Sequence, residues 1–580
     1  MDRRWTLADP PAQDMRERFS ELHPVAVQLL WSRGITAKDQ VEAFLQPDYV
    51  RDLHDPYLFR EMEAACARIW RALTDGENIV VYGDYDADGV TGSAVLLTTL
   101  HEAARLLGAD RSRIGSYIPH REKEGYGVSR EAVEVLSGRK TDLMITVDCG
   151  ISCAPEIALA AERGIDTIVV DHHQVPPQVP ECILIHPLVP GETYPFGKLA
   201  AVGVSFKLAC GFMRYAAERG KPFSAGFDKW LLDLVAIATV TDLMPLVGEN
   251  RTLEKYGLVV LNKTRRPGLQ RILETAGLAA GAIDTVSVGF GIGPRINAAS
   301  RMDHAQHALD ALMAPTLEDA KILAEKLNDL NLARQRSTEE IMRAAQARLA
   351  AAPQDTPLRI VWGDGWSAGL VGLVAGKIAS ETGVPAMVFG REGERYVGSG
   401  RGVPGFNLVA ALEAAKGHLT RFGGHPQACG MTVDGDGHFR EFCAIVEEYA
   451  RRELAGRDLR PVLQSDAEIR LSQVTWDLVH LLQKFEPHGE GNPRPRFLLR
   501  DLVMSSATPV GQNGRHVRLA VRGDVAVESK VIAFNLAEKA RAIVPGSHID
   551  LVVELGINVW NGRQEIQLKA IDLRLAQPVI

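Results

Sequence analysis

The 580-residue chain has no apolar run near the ~18 residues that a membrane span needs. Its opening, Met1-Asp-Arg-Arg-Trp5, has no apolar stretch of the kind a secretory signal carries. A cytoplasmic setting without membrane contact is therefore expected. Cysteine is sparse: Cys66, Cys149, Cys153, Cys182, Cys210, Cys429 and Cys443 are scattered, odd in number and form no Cys-x-x-Cys pair. That pattern argues against both a disulfide framework and a cysteine zinc site. No Gly-x-x-x-x-Gly-Lys-Ser/Thr loop is present, which argues against an NTP-driven motor. Nor is there a basic excess, since the formal net charge is −8. A total of that sign speaks weakly against nucleic acid, but acidic groups that hold cations contribute to it and are cancelled locally when loaded.

What is present is an ordinary globular composition, 46% hydrophobic and 24% charged, long enough for about three or four domains. The chain is organised around Asn78-Ile-Val-Val-Tyr-Gly-Asp84-Tyr-Asp86-Ala-Asp88-Gly-Val-Thr-Gly92, an apolar strand running into three carboxylates and a glycine-opened helix. Three like charges within five residues repel one another, so a packed site keeps them ionised only beside something strongly positive. A divalent cation answers that need. Further apolar segments at 114–118, 143–147, 167–170 and 182–185 alternate with helical stretches, which predicts a largely parallel sheet covered on both faces. Two of them end in potential ligands: Asp148 in Asp-Cys-Gly, and Asp171-His172-His173. Ligands at strand ends lie where open parallel sheets bind. A mixed carboxylate and imidazole set suits Mn²⁺, with Mg²⁺ also open.

These motifs, together with Thr239-Val-Thr-Asp242, resemble the four successive motifs of the DHH phosphoesterase superfamily. The resemblance implies a centre of two divalent ions, Mn²⁺ or Mg²⁺, held by Asp86, Asp88, Asp148, His172 and Asp242. Asp84, Asp171 and His173 would touch the ions or the side chains that do. Tyr117-Ile-Pro-His-Arg121, Glu124-Gly-Tyr-Gly127 and Gly293-Pro-Arg295-Ile-Asn-Ala-Ala-Ser-Arg301 are similar to segments of the RecJ exonuclease family, with Ser300 where that family commonly has Gly. Arg121, Arg295 and Arg301 are the implied phosphate contacts, since the guanidinium fork binds two oxygens at once.

The segment 313–353 is rich in helix formers without Gly, and predicts a long connecting helix ending before Pro353. Beyond it, 354–458 reads as a second α/β domain. Its Gly398-Ser399-Gly400-Arg401 and Phe422-Gly-Gly-His425 place small residues around a hydroxyl and a cation, so that backbone N–H groups can approach a phosphate. In order and position this resembles the DHH-associated domain, which implies Ser399 and Arg401, with His425, at a 5′ phosphate. Two departures stand out: Trp366 lies where the family often has a Trp-His pair, and His488 where Phe is usual.

Residues 459–580 carry five strand-like runs and an Asn561-Gly562 hairpin signal, expected to form an OB-like barrel. From 491 onward, 12 Lys and Arg stand against 8 Asp and Glu, so Arg515, His516, Arg518 and Lys530 are candidates for following a nucleic-acid backbone. Residues 1–60 read as an N-terminal cap, and 61–312 as the catalytic domain. The expected whole is an α/β protein: two α/β domains joined by a long helix, plus the barrel. The family resemblance implies 5′-to-3′ degradation of single-stranded DNA to 5′-mononucleotides in recombination and repair, with single-stranded-DNA-binding protein and a RecQ-type helicase as partners. Two alternatives are a phosphodiesterase for short oligonucleotides or small phosphate compounds, and an inactive nucleic-acid-binding scaffold.

Overall fold

The computed structural model describes residues 3–351, 356–511, 513–525, 527–560 and 562–576. The first domain is built on strands β1 (Ile79–Gly83), β2 (Ile114–Tyr117), β3 (Leu143–Val147), β4 (Asp166–Val170) and β5 (Ile183–Ile185), in the order β2-β1-β3-β4-β5. Every pairing is parallel. The residues of β1 and β3 are all buried, as continuous apolar runs require in a sheet covered on both faces. After β2 the chain returns to the far side of β1, so a crevice opens outside the carboxyl ends of β1 and β3. Helices α1 (Ala87–Leu107), α2 (Ala201–Glu218), α3 (Leu232–Thr241), α4 (Gly248–Leu261) and α5 (Gly293–Met302) pack around this sheet. In α3, every residue from Leu232 to Thr239 is buried, so the helix runs through the core.

Helix α6 (Leu317–Ala351) is 35 residues long, about 52 Å at the α-helical rise. Ala324 and Leu327 pack into the first domain's core, and Ile341, Met342 and Ala345 into that of the second. One rigid rod thus spaces the two halves. The expected helix end near 353 lies outside the described residues.

The second domain holds β6 (Arg359–Asp364), α7 (Ala368–Thr382), β7 (Ala386–Glu392), β8 (Arg395–Arg401), β9 (Arg421–His425), β10 (Ala428–Asp434) and α8 (Asp436–Leu454), with sheet order β9-β10-β8-β7-β6. One expectation is corrected here. The backbone N–H groups of Gly398–Arg401 are not free to approach a phosphate: the segment is part of β8, paired on both edges, so its amides belong to the ladder. The small residues serve packing: a Cβ on Gly398 would lie 2.3 Å from Phe389 Cδ1, and one on Gly400 2.7 Å from Cys429 Sγ.

The third module is a barrel of β11 (Arg496–Val510), β12 (His516–Arg522), β13 (Ser529–Ala533), β14 (His548–Trp560) and β15 (Arg563–Leu575). The strands run in the order β11-β12-β13-β15-β14, and β14 closes back onto β11. Asn561 of the expected hairpin lies outside the described residues, while Gly562 has φ 75°. The described part of the expected cap, residues 3–60, is divided between two cores, with Phe59 in that of the first domain. Met15, Phe19, Leu29, Leu30 and Phe44 share a core with Phe497, Leu519 and Leu551 of the barrel, and Arg4–Leu7 pairs in parallel with Val462–Ser465. That partnership spans more than 400 residues, beyond the reach of any local pattern.

Barrel and first domain are joined through Arg251 of α4, which is fully buried. Its guanidinium donates to the carbonyls of Phe44, Lys484, Phe485, Glu486 and Pro487 at 2.8–3.4 Å. Asn492 completes the joint, donating to Phe485 O and Pro487 O and accepting from Arg33 Nε. Among the described residues no helix is long and apolar enough to cross a membrane.

Candidate active site

Each acidic residue of the site is placed by the backbone it terminates or caps. The Asp84 amide extends the ladder past β1 by donating to Val147 O at 3.0 Å. Asp86 caps α1, its Oδ1 accepting from the amides of Asp88 and Gly89, which is the usual work of Asp at a helix start. Glycine is required at 89 because a Cβ there would lie 2.4 Å from Asp84 O. Asp88 crosses to α2 and accepts from the Ala201 and Val202 amides at 2.7 and 2.8 Å. Asp148 follows β3 with φ 63°, a strained conformation of the kind that collects at functional sites. Asp242 stands at the carboxyl end of α3.

The side chains then converge. His172 Nε2 is 3.2 Å from Asp148 Oδ1, 3.5 Å from Asp242 Oδ2 and 3.7 Å from Asp88 Oδ2. Burial and the nearby charge of His173 lower the His172 pKa to about 4, so its ring is neutral at pH 7 and these contacts are not ion pairs. Asp84 Oδ1, Asp148 Oδ1, His172 Nε2 and Asp242 Oδ2 are all buried without a hydrogen-bond partner. A buried polar atom left unpaired costs ~1–3 kcal/mol, and more where the group is charged. Three carboxylate oxygens and one imidazole nitrogen left so, facing one space, define a set of donors for cations. Two groups have ligand atoms close enough to share an ion each: Asp84, Asp86 and Asp148, and Asp88, His172 and Asp242; a third group of Asp148, His172 and His173 links them. The residues therefore fit the divalent ions that the family resemblance implies.

Electrostatics agree with this. Burial, then repulsion by Asp86, pushes Asp84 well above the usual carboxylate range, and the same two causes raise Asp88 to about 7. Asp148 is raised by burial and then by Asp88, and Asp242 by the same causes to about 9. Asp171 behaves differently. Burial would raise it, but the His173 hydrogen bond and charge hold it at about 2. Its oxygens accept from the Ile151, His172 and His173 amides and from His173 Nδ1 at 2.8 Å. Asp171 thus orients the two histidines from behind. His173, which burial alone would lower, is raised to about 9 by that partner.

Facing the centre is a cleft between the two α/β domains. Arg301 Nη1 donates to Gly369 O at 2.7 Å, which fixes α5 against α7. Ser399 Oγ and Arg401 Nη2 both border Gly372 of α7, at 3.3 and 3.2 Å from where a Cβ would stand. Arg121 lies 4.7 Å from the Tyr85 ring centroid. Burial, then the charge of Arg121, lowers Arg301 to about 10, and burial is the main cause that lowers Arg401. Among the described residues no carboxylate pairs with any of these three arginines at ion-pair distance. Arg295 is not in this group: its guanidinium donates to Gly291 O, Thr275 O and Asn328 Oδ1. His425 is exposed on β9, an edge strand.

On the barrel, Arg515 and Arg518 are exposed. The His516 ring lies 5.2 Å from that of Phe534, itself 47% exposed. Sequence reasoning missed Tyr126, whose hydroxyl donates to Asp148 O at 3.1 Å and lies 3.1 Å from His173 Nδ1, and Asn297, whose Oδ1 takes the Ala87 amide. Both stand inside segments quoted above for the resemblance, which was the signal available. Exposed Phe290 and Leu243 line a cavity of about 370 Å³ beside Asn297 and Arg301, and no motif marked them.

Family models match in three places: the DHH family N-terminal domain over 78–239, the DHHA1 domain over 355–452 and the RecJ OB domain over 465–572. The single-stranded-DNA-specific exonuclease RecJ of Bacillus subtilis is 34% identical over 579 residues, covering 99% of this chain and 71% of the relative. The chain belongs to the RecJ family. RecJ of Thermus thermophilus is 33% identical over 581 residues, covering 98% of this chain and 78% of the relative. Its crystal structure in complex with Mn²⁺ superposes with TM-score 0.82 at 30% identity, covering 99% of this chain and 80% of that one. The complex of the same RecJ with Mg²⁺ gives 0.76 at 28%, covering 99% and 79%. The parallel sheet, the mixed sheet, the long connecting helix and the OB barrel described above are thus the architecture of RecJ.

Proposed function

We propose that this RecJ-family chain is a metal-dependent 5′-to-3′ exonuclease that hydrolyses single-stranded DNA to 5′-mononucleotides. The observation that carries the reading is the juxtaposition of unpartnered acidic and imidazole atoms with a cleft of arginines that lack carboxylate partners. Asp86, Asp88, Asp148, His172 and Asp242 would hold two divalent ions, Mn²⁺ or Mg²⁺, with Asp84 and His173 at their margin. When bound, such a pair supplies Lewis-acid activation of water and stabilises charge on the phosphate and leaving oxygens. The protein's own share is placement. Arg401 and Ser399 on β8, beside Gly372 of α7, with Arg301 on α5, grip a terminal 5′ phosphate through side chains alone, because the β8 amides are taken by the sheet. Gripping the terminus in one domain while the ligands stand in the other measures off the first phosphodiester, which accounts for mononucleotide products and for polarity.

Arg121 extends the phosphate path along Tyr85. Arg515, His516, Arg518 and Lys530, with Phe534 as a stacking ring, would carry the trailing strand over the barrel. Arg295 and His425 have a smaller part in this reading, the first being engaged within the protein and the second standing on an outer edge. Work in recombination and repair in the cytoplasm, beside single-stranded-DNA-binding protein and a RecQ-type helicase, belongs to the same proposal. The test is product analysis with Mn²⁺ or Mg²⁺ on 5′-labelled and 3′-labelled single strands, the matching duplex and a dinucleotide. Early labelled mononucleotide from the 5′-labelled strand alone is expected. Rapid cleavage of the dinucleotide with the long strand intact would replace this reading with a small-substrate phosphodiesterase.

A further inference from the structure

A second convergence of ligand atoms lies in the DHHA1 domain and shares no residue with the catalytic centre. His418 closes the short turn Lys416–His418, while His438 and Glu441 stand three residues apart in the first turns of α8, a spacing that puts both on one helix face. His418 Nδ1 is 3.1 Å from His438 Nδ1 and 3.2 Å from Glu441 Oε2. All three ligand atoms fall within 4.8 Å of one another. We propose that His418, His438 and Glu441 bind a third metal ion of the zinc class.

Three observations carry this. The first is distance. Ligands at ~2.0–2.1 Å around a tetrahedral Zn²⁺ lie about 3.3 Å apart, and the separations of His418 Nδ1 from the other two atoms are within a few tenths of that edge. The second is chemistry: a single Nδ1–H on His418 can point at the carboxylate or at the other ring nitrogen, not at both, so hydrogen bonding leaves one of the three atoms facing another lone pair or proton. A cation satisfies all three together, and two imidazoles with one carboxylate make a donor set suited to Zn²⁺ with a fourth position open to water. The third is ring orientation. The two imidazoles are tilted at 52° with centroids 5.4 Å apart, so they are not stacked for packing, and their nitrogens meet at one point.

The position explains what such an ion does. His418 is followed within three residues by β9, which is the outer strand of its sheet, pairs among the described residues with β10 alone and contains Gly423 and Gly424. Such a strand has little packing of its own to hold it. An ion joining the turn before β9 to α8 anchors the strand's entry, supplementing the Thr420 Oγ1 bond to Asp434 Oδ2 at 2.8 Å. With the Glu441 side chain 67% exposed, the site is open to an ion from solvent.

The experiment compares the full chain with His418→Ala/His438→Ala. Both proteins are stripped with a chelator and titrated with ZnCl₂ against a chromophoric zinc indicator. The variant is expected to hold one tightly bound zinc fewer than the parent, whatever zinc the catalytic centre takes up in each, and to keep its circular dichroism. Equal zinc counts would overturn the proposal. If the double variant fails to fold, Glu441→Gln decides: it is expected to weaken one zinc-binding step at least tenfold, and an unchanged titration would overturn the site.

Discussion

Without divalent ions, the acidic centre should make the protein less stable as pH rises from 6.5 to 8.5. The sign follows from proton counting. Asp242, raised to about 9, and Asp88, raised to about 7, keep protons in the folded state that the unfolded chain has already lost. Stability therefore falls with pH wherever the folded state binds more protons. His173 acts in the same direction, because its stabilising bond to Asp171 is present below the ordinary histidine pKa and is lost as pH rises through about 9. His172, lowered to about 4, works oppositely but only below about 6.5, outside this window. One group holding its proton across two pH units contributes up to ~2.7 kcal/mol. Asp242 and His173 have side chains 28% and 34% exposed and all three groups share one field, so roughly 3 kcal/mol in total is a fair expectation. For a domain of this size that corresponds to a fall of roughly 6–12 °C in the melting transition. Ion binding needs the ionised carboxylates, so Mn²⁺ should remove the slope and its stabilising increment should grow with pH. Differential scanning fluorimetry in EDTA and in Mn²⁺ across pH 6.5–8.5 measures both quantities. A flat or rising melting temperature in EDTA, or an Mn²⁺ increment independent of pH, would refute the reasoning.

Asp148→Ala removes the residue shared by two of the ligand groups and should abolish hydrolysis while leaving most single-strand binding, as judged by fluorescence anisotropy; parallel loss of both would contradict the assignment. Arg401→Ala should cost about 1.5–3 kcal/mol of charge-assisted bonding, read as a roughly 10- to 100-fold loss of preference for a 5′-phosphorylated end over a 5′-hydroxyl. An unchanged preference would reject the pocket. Arg251→Met removes a donor from five carbonyls, of which Phe485 O and Pro487 O keep Asn492, and is expected to destabilise the protein by about 4 kcal/mol in urea titration, whereas a loss under about 1 kcal/mol would mean that the carbonyls of Phe44, Lys484 and Glu486 find water instead.

The parallel sheet was legible because its strands are short apolar runs, three of them followed by Asp, and the acidic cluster because carboxylates so close together in sequence have few other stable arrangements. Tertiary pairing was not legible. Gly398 to Arg401 has the composition of a turn, yet it lies in a strand because Phe389 and Cys429 close over the missing side chains. Arg295 and Arg301 have the same local signature, five residues before and one after the end of the same small-residue stretch at Ser300. Helix α5 turns one toward Thr275 and Asn328 and the other toward the cleft. Which acceptor an arginine meets depends on the neighbouring helices, information that a single segment does not contain.

The core shared by the first and last parts of the chain also bears on biosynthesis. Met15, Phe19 and Leu29 emerge from the ribosome more than 400 residues before Phe497, Leu519 and Leu551 exist. At ~5–20 residues per second, that interval lasts tens of seconds. Through it the amino-terminal helices must remain unpaired while both α/β domains are completed, which makes them a natural substrate for ribosome-associated chaperones. Splitting the gene after Ala351 would then yield two fragments that each carry half of this shared core and bury it only on meeting.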